Sequence, residues 1–172
     1  MDIGSIWQQA ADKWNAVVAE VSDEQMAAPC ASCPEWTVAE LIEHTMHWQG
    51  QGAAGLAGMA PGAEWADIQS GLASALGDPA NLEGTVEAMG GMPKQQVAGF
   101  VIGDLLVHSW DLANSIGADT TLPVEAVQAT HMGLQRAPEE MLRGENMFGP
   151  AIDVGADASA QDQLLGFLGR QP

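Results

Sequence analysis

The segment 93–117, PKQQVAGFVIGDLLVHSWDLANSIG, is the strongest constraint on what this chain can fold into. From residue 101 onward Val101, Ile102, Leu105, Leu106, Trp110, Leu112 and Ala113 leave no broad polar face. A helix apolar nearly all round is a buried one. The same stretch nevertheless carries Asp104, His108, Asp111 and Ser115 at spacings of four, three and four, which places them on one helical face. Buried polar side chains need partners, so neighbouring elements must supply groups that meet this stripe.

The remaining composition agrees with a helical protein. Tyrosine is absent, phenylalanine is scarce, and Ala, Leu, Met, Gln and Glu dominate, a palette that favours helix over sheet. A chain of 172 residues can bury a core without disulfides or structural metals, and a single domain over 1–172 is expected. Five basic residues against 23 acidic ones give a formal net charge of -18. Phosphate backbones and anionic lipid surfaces repel such a chain, so neither nucleic acid nor membrane is expected as a partner. The amino terminus lacks a basic segment followed by an apolar run, and no stretch reaches about 18 apolar residues, which predicts a cytoplasmic protein.

Periodicity predicts a first amphipathic helix from Ile3 to about Val21. Residues 22–36 hold Pro29, Pro34 and both cysteines and read as a loop. Thr37-Val-Ala-Glu40 has the form of a capping box and opens a second helix that runs into the glycine-rich GQGAAGLAG. A third helix is expected over 64–76. The Pro- and Gly-rich stretch 77–93 then reads as a crossover, with Pro93 suited to the first turn of the long fourth helix and Gly117 to its end. A fifth helical pattern covers 123–142, residues 145–159 form an irregular arm, and a short sixth helix fits 159–169. The fold class is all-α: a four-helix bundle with one long crossover connection and a C-terminal helical appendage.

Asp104 and His108 are four residues apart, so both side chains reach the same spot, as the two histidines of HExxH do. His44, at the edge of the apolar face of the second helix, could complete a site of two histidines and one carboxylate with open positions. The competing interpretation is a His108–Asp104 hydrogen bond inside the bundle with His44 a separate residue at a core margin. His47 falls on the polar side, where a solvated pair with Glu43 is expected. Asp111 could orient a metal-bound imidazole, but a hydrogen bond to a tryptophan N–H or a loop backbone is the favoured expectation. His131 is expected to be packed or at the surface, and Trp36, Trp48 and Trp110 to be core anchors or, near a metal, the walls of a pocket. Cys30 and Cys33, the two cysteines of the chain, lack the second ligand pair of a structural zinc site and the strand-to-helix context of a redox motif. Reduced structural thiols are therefore expected.

Taken together, Pro34-Glu-Trp-Thr-Val-Ala-Glu-Leu-Ile-Glu-His44 and Asp104-Leu-Leu-Val-His108-Ser-Trp-Asp-Leu-Ala113 resemble the DinB-like metal-binding bundles, in particular the N-terminal domain of mycothiol-dependent maleylpyruvate isomerases. The ending FGPAIDVGADASAQDQLLGFLGR is similar to that of small actinobacterial relatives of the domain. The resemblance covers nearly the whole chain. It implies a divalent metal ion, usually zinc in the isomerases, held by His44, Asp104 and His108. The isomerases commonly have Glu where this chain has Asp104, one methylene shorter, and they carry a further C-terminal domain that helps to form the substrate site. What carries over is therefore a metal-dependent, thiol-using transferase or isomerase acting on a small electrophilic substrate, with mycothiol as the low-molecular-weight thiol. Metal-assisted hydrolysis and a non-catalytic metal- or ligand-binding bundle, in a homodimer for instance, are the rival functions. Lys94, Arg136 and Arg143 are the basic residues considered for offsetting the acidic field around an anionic substrate.

Overall fold

The computed structural model describes residues 2–137, 139–143 and 148–172. Helix α1 spans Ile3–Val18 and starts on Asp2, whose carboxylate accepts from the Gly4 and Ser5 N–H groups. It buries Ile6, Trp7, Ala10, Ala11, Trp14 and Val17, the helical spacing read from the sequence. Helix α2 spans Val38–Ala57. Its capping box is formed on both sides: Glu40 N–H donates to Thr37 Oγ1 at 3.3 Å, and Thr37 N–H donates to Glu40 Oε2 at 2.7 Å. Helix α3 spans Trp65–Leu76. The crossover over 77–93 contains two short 3-10 turns and a two-stranded antiparallel pair, β1 (Thr85–Val86) with β2 (Met92–Pro93), which is the one sheet among the described residues.

Helix α4 spans Lys94–Ile116 and ends at Gly117, whose φ of +73° is the left-handed conformation that glycine adopts without strain. It buries fourteen consecutive or near-consecutive positions from Val97 to Ala113, as its all-round apolar sequence requires. Around the bundle α4 packs on α1 and α2, and both of these pack on α3. Helices α4 and α2 run antiparallel, since Gly52 meets Val101, Gln49 meets Asp104 and His44 meets His108. Gly52 makes the close approach possible, because a Cβ there would overlap Val101 Cγ2.

The fifth helical pattern is shorter than its periodicity predicts. Helix α5 spans Val124–Leu134, and a separate turn of helix, α6, spans Glu139–Leu142. Pro138 disfavours helical backbone at the residue before it, which explains the interruption. Part of the expected irregular arm, 145–147, lies outside the described residues. Helix α7 spans Ala160–Phe167 and packs on α5, so the C-terminal appendage leans on the bundle. No helix among the described residues is long and apolar enough to cross a membrane.

Candidate metal centre

The antiparallel pairing of α2 and α4 brings His44, Asp104 and His108 together. One donor atom from each lies within 4.8 Å of the others, and the His44 and His108 rings stand edge to face at 5.2 Å between centroids. His108 Nε2 is 3.4 Å from Asp104 Oδ1. Gln49, wholly buried on α2, donates to the Val101 carbonyl at 2.9 Å and lies 3.5 Å from Asp104 Oδ2, which limits the swing of that carboxylate.

The other nitrogen of His108 is already committed. Its Nδ1–H donates to Asp111 Oδ2 at 2.9 Å, and Asp111 is fully buried. Arg170 grips the same carboxylate with Nη2 at 2.8 Å from Oδ2 and Nε at 3.2 Å from Oδ1. Burial works against charge on Asp111, but the hydrogen bond from His108 and the Arg170 guanidinium hold its carboxyl well below the usual range. For His108 burial again opposes the charge, and the Asp104 and Asp111 carboxylates outweigh it, so its pKa is pushed up to about 9. His44 is shifted the other way, downward, by burial and by the neighbouring His108. Without a cation the cluster thus holds a proton on His108, between two carboxylates. A divalent ion would replace that proton, and the hydrogen bond to Asp111 leaves Nε2 as the nitrogen that faces Asp104 and His44.

Arg170 arrives by a local device. Helix α7 ends in a Schellman turn: Arg170 N–H donates to the Leu165 carbonyl and Gly169 N–H to that of Gly166, with Gly169 at φ +77°. The turn points the side chain back onto α4, and the guanidinium also covers the Phe148 ring at 5.6 Å. A glycine just past the helix in FLGRQP was the available signal for this turn, but nothing in the spacing connects residue 170 to residue 111. The basic residues considered from sequence lie elsewhere. Lys94 donates to the Asn81 carbonyl, Arg143 to those of Gly149 and Phe167, and Arg136 lines a cleft of about 540 Å³ between α1, α4 and α5 that includes none of the three donors.

Several expectations are corrected here. Asp111 does not serve a tryptophan N–H or a loop backbone with its side chain; it joins His108 to Arg170. Trp110 is in the core, but Trp48 is 47% exposed and Trp36 is partly buried, and both flank His44, with ring centroids at 6.4 Å and 4.5 Å. His47 is exposed as expected, but it packs edge-on against Trp48 at 5.7 Å, and among the described residues no ion pair joins it to Glu43. His131 contacts Gln135 and the Phe167 ring, away from the donors.

A family model described as the mycothiol maleylpyruvate isomerase N-terminal domain matches residues 7–98. The chain belongs to that family. The matched segment includes His44 and the α2 motif and stops short of Asp104 and His108, so the α4 half of the donor set rests on the geometry above. Two uncharacterized proteins from two strains of Mycobacterium tuberculosis are each 30% identical over 173 residues, covering 95% of this chain and 94% of their own length. No solved structure matches the chain.

Proposed function

We propose that this member of the mycothiol maleylpyruvate isomerase N-terminal domain family binds one divalent ion, zinc being the best match to the donors, through His44, Asp104 and His108. On this reading it is a metal-dependent, thiol-using transferase or isomerase acting on a small electrophilic substrate. The observation that carries it is the convergence of three donors, with Asp111 fixing the His108 tautomer so that Nε2 points into the cluster. When bound, an ion with open positions supplies Lewis acidity and raises the thiolate fraction of a bound thiol near neutral pH. The chain's own residues do the positioning. Gln49 steadies Asp104, Arg170 and Asp111 hold His108, and Trp36 and Trp48 form an aromatic wall beside His44. Family membership makes mycothiol the thiol to test first. A chain with this excess of acidic residues meets the substrate in the cytoplasm, on this reading, with no nucleic acid or membrane partner.

The test is metal analysis of protein purified without chelator, followed by cobalt substitution and titration with mycothiol, glutathione and simple thiols. About one ion per chain and a thiolate-to-cobalt charge-transfer band are expected. His108→Ala and His44→Ala should lose the ion, and His47→Ala should keep it. Equal metal content in wild type and His108→Ala rejects the site. A bound ion with no spectral response to any thiol at millimolar concentration rejects the thiol chemistry and leaves hydrolysis or a binding role.

A further inference from the structure

The two cysteines lie next to this cluster without belonging to it. Residues 30–36 form a tight loop in which Cys30 N–H donates to the Trp36 carbonyl at 2.7 Å and Trp36 N–H to that of Cys33 at 2.8 Å. Pro29 and Thr37 form a β-bridge at its base, and Ala31 N–H donates to Ser115 Oγ on α4 at 2.9 Å. A loop pinned at so many points fixes its two thiols relative to each other. Both are free, Cys30 buried and Cys33 with access to solvent, and they lie within hydrogen-bonding reach of one another. The hydrogen bond to Cys30, burial and the Asp111 carboxylate push the Cys33 thiol up, against a smaller opposing pull from the Arg170 guanidinium, so the Cys33 proton needs an acceptor. Among the described residues the metal-ligating cluster is His44, Asp104 and His108, and it includes neither sulfur. The pair therefore has one accessible sulfur, a second sulfur within reach of it in a pinned loop and no ligand partners, which fits redox chemistry better than zinc.

We propose that Cys30 and Cys33 form a redox site, a dithiol that exchanges with low-molecular-weight disulfides and closes to an intramolecular disulfide. Cys33, the accessible sulfur, attacks one sulfur of the incoming RS–SR while its proton passes along the hydrogen bond to Cys30. The Cys33–S–S–R bond forms, the RS–SR bond breaks, and the departing RS⁻ takes that proton as RSH. Cys30, again a thiolate, attacks the Cys33 sulfur and displaces the second RS⁻, which takes a proton from solvent. Two electrons pass from the protein to the disulfide, giving one Cys30–Cys33 bond and two RSH. The loop needs little rearrangement, since sulfurs in hydrogen-bonding reach have only to close to about 2 Å. The hydrogen bond from Cys33 also holds the Cys30 thiol down at about 6, so the pair has a base in place at neutral pH.

The full-length protein should be equilibrated in buffers of increasing glutathione disulfide to glutathione ratio, quenched by alkylation and weighed by mass spectrometry, with and without equimolar zinc. Both thiols should disappear together as a loss of two hydrogens, with no lasting glutathione adduct, and return on reduction. Cys30→Ser should trap glutathione on Cys33, and Cys33→Ser should react at least tenfold more slowly, because its remaining thiol is buried. The wild-type result stands alone if either variant fails to fold. Two thiols still open to alkylation at the most oxidising ratio, or a stable wild-type adduct on Cys33, would overturn the proposal. Protection of both thiols by zinc would overturn it too, by making them ligands. None of these results depends on His44, Asp104 and His108 holding an ion.

Discussion

Arg170, just past helix α7, closes on both carboxylate oxygens of Asp111, whose other contact is the Nδ1–H of His108. A residue 59 positions away thereby orients a candidate metal ligand. The arrangement joins stability to site geometry, because a buried carboxylate deprived of its cation is costly.

Removing the cation should therefore show twice. Arg170→Leu is expected to destabilise the protein by about 3–5 kcal/mol, the cost typical of breaking a buried pair. It should also weaken metal binding by about 10- to 100-fold through the freed His108 ring. Denaturant unfolding and metal titration measure the two effects, and unchanged values for both would show that the pair does not matter. Asp111→Asn, which can still accept from His108, should lose less metal affinity than Asp111→Ala.

The pH dependence of metal binding follows from His108. Its pKa in the metal-free fold is raised to about 9, so below that pH the incoming ion must displace its proton. Affinity should rise with pH by about tenfold per unit between neutrality and pH 9 and flatten above it. Metal-free stability should move in the opposite sense. A raised folded-state pKa contributes stability that is complete below the ordinary histidine value and is lost as pH climbs through about 9. Calorimetry in buffers of different ionisation enthalpy would count the released proton, and no release at pH 7.5 would contradict the assignment.

Gly52 is expected to tolerate no side chain. Gly52→Ala places a methyl against Val101 Cγ2 at the crossing of α2 and α4, and overpacking of this kind costs about 1–3 kcal/mol. Spreading those helices also separates His44 from Asp104 and His108, so metal affinity should fall with stability. Val101→Ala in the same chain should restore both in part.

Trp48 and Trp110 should separate a wall from a core. Trp110→Ala is expected to cost about 3–5 kcal/mol, whereas Trp48→Ala, at a residue 47% exposed, should stay within about 0.5 kcal/mol of wild type. If Trp48 lines the substrate side of the centre, its loss should raise KM while leaving metal content unchanged. Thermal unfolding and steady-state rates check the two halves of this expectation.

Much of the architecture was legible because it depends on short-range pattern. The capping box at Thr37–Glu40, the stop at Gly117 and the all-round apolar α4 each appear where the residues put them. The α5 pattern misled because helical periodicity continued across Pro138, whose local backbone restriction prevailed. Trp48 misled for a different reason: a large apolar side chain is usually a core residue, and its exposure on α2 is visible only when the neighbouring elements are in place.

Sequence alone determined which residues share a helical face, since that requires only the helical repeat: Asp104 with His108, and His44 at the margin of α2. Tertiary structure alone decided that the two faces meet. The distance from His44 to His108 depends on where α2 crosses α4, which the missing Cβ of Gly52 permits, and the partner of Asp111 depends on a Schellman turn that returns Arg170 across 59 residues. Helical spacing acts over about four residues, whereas contacts between distant segments are chosen by the packing of the whole core.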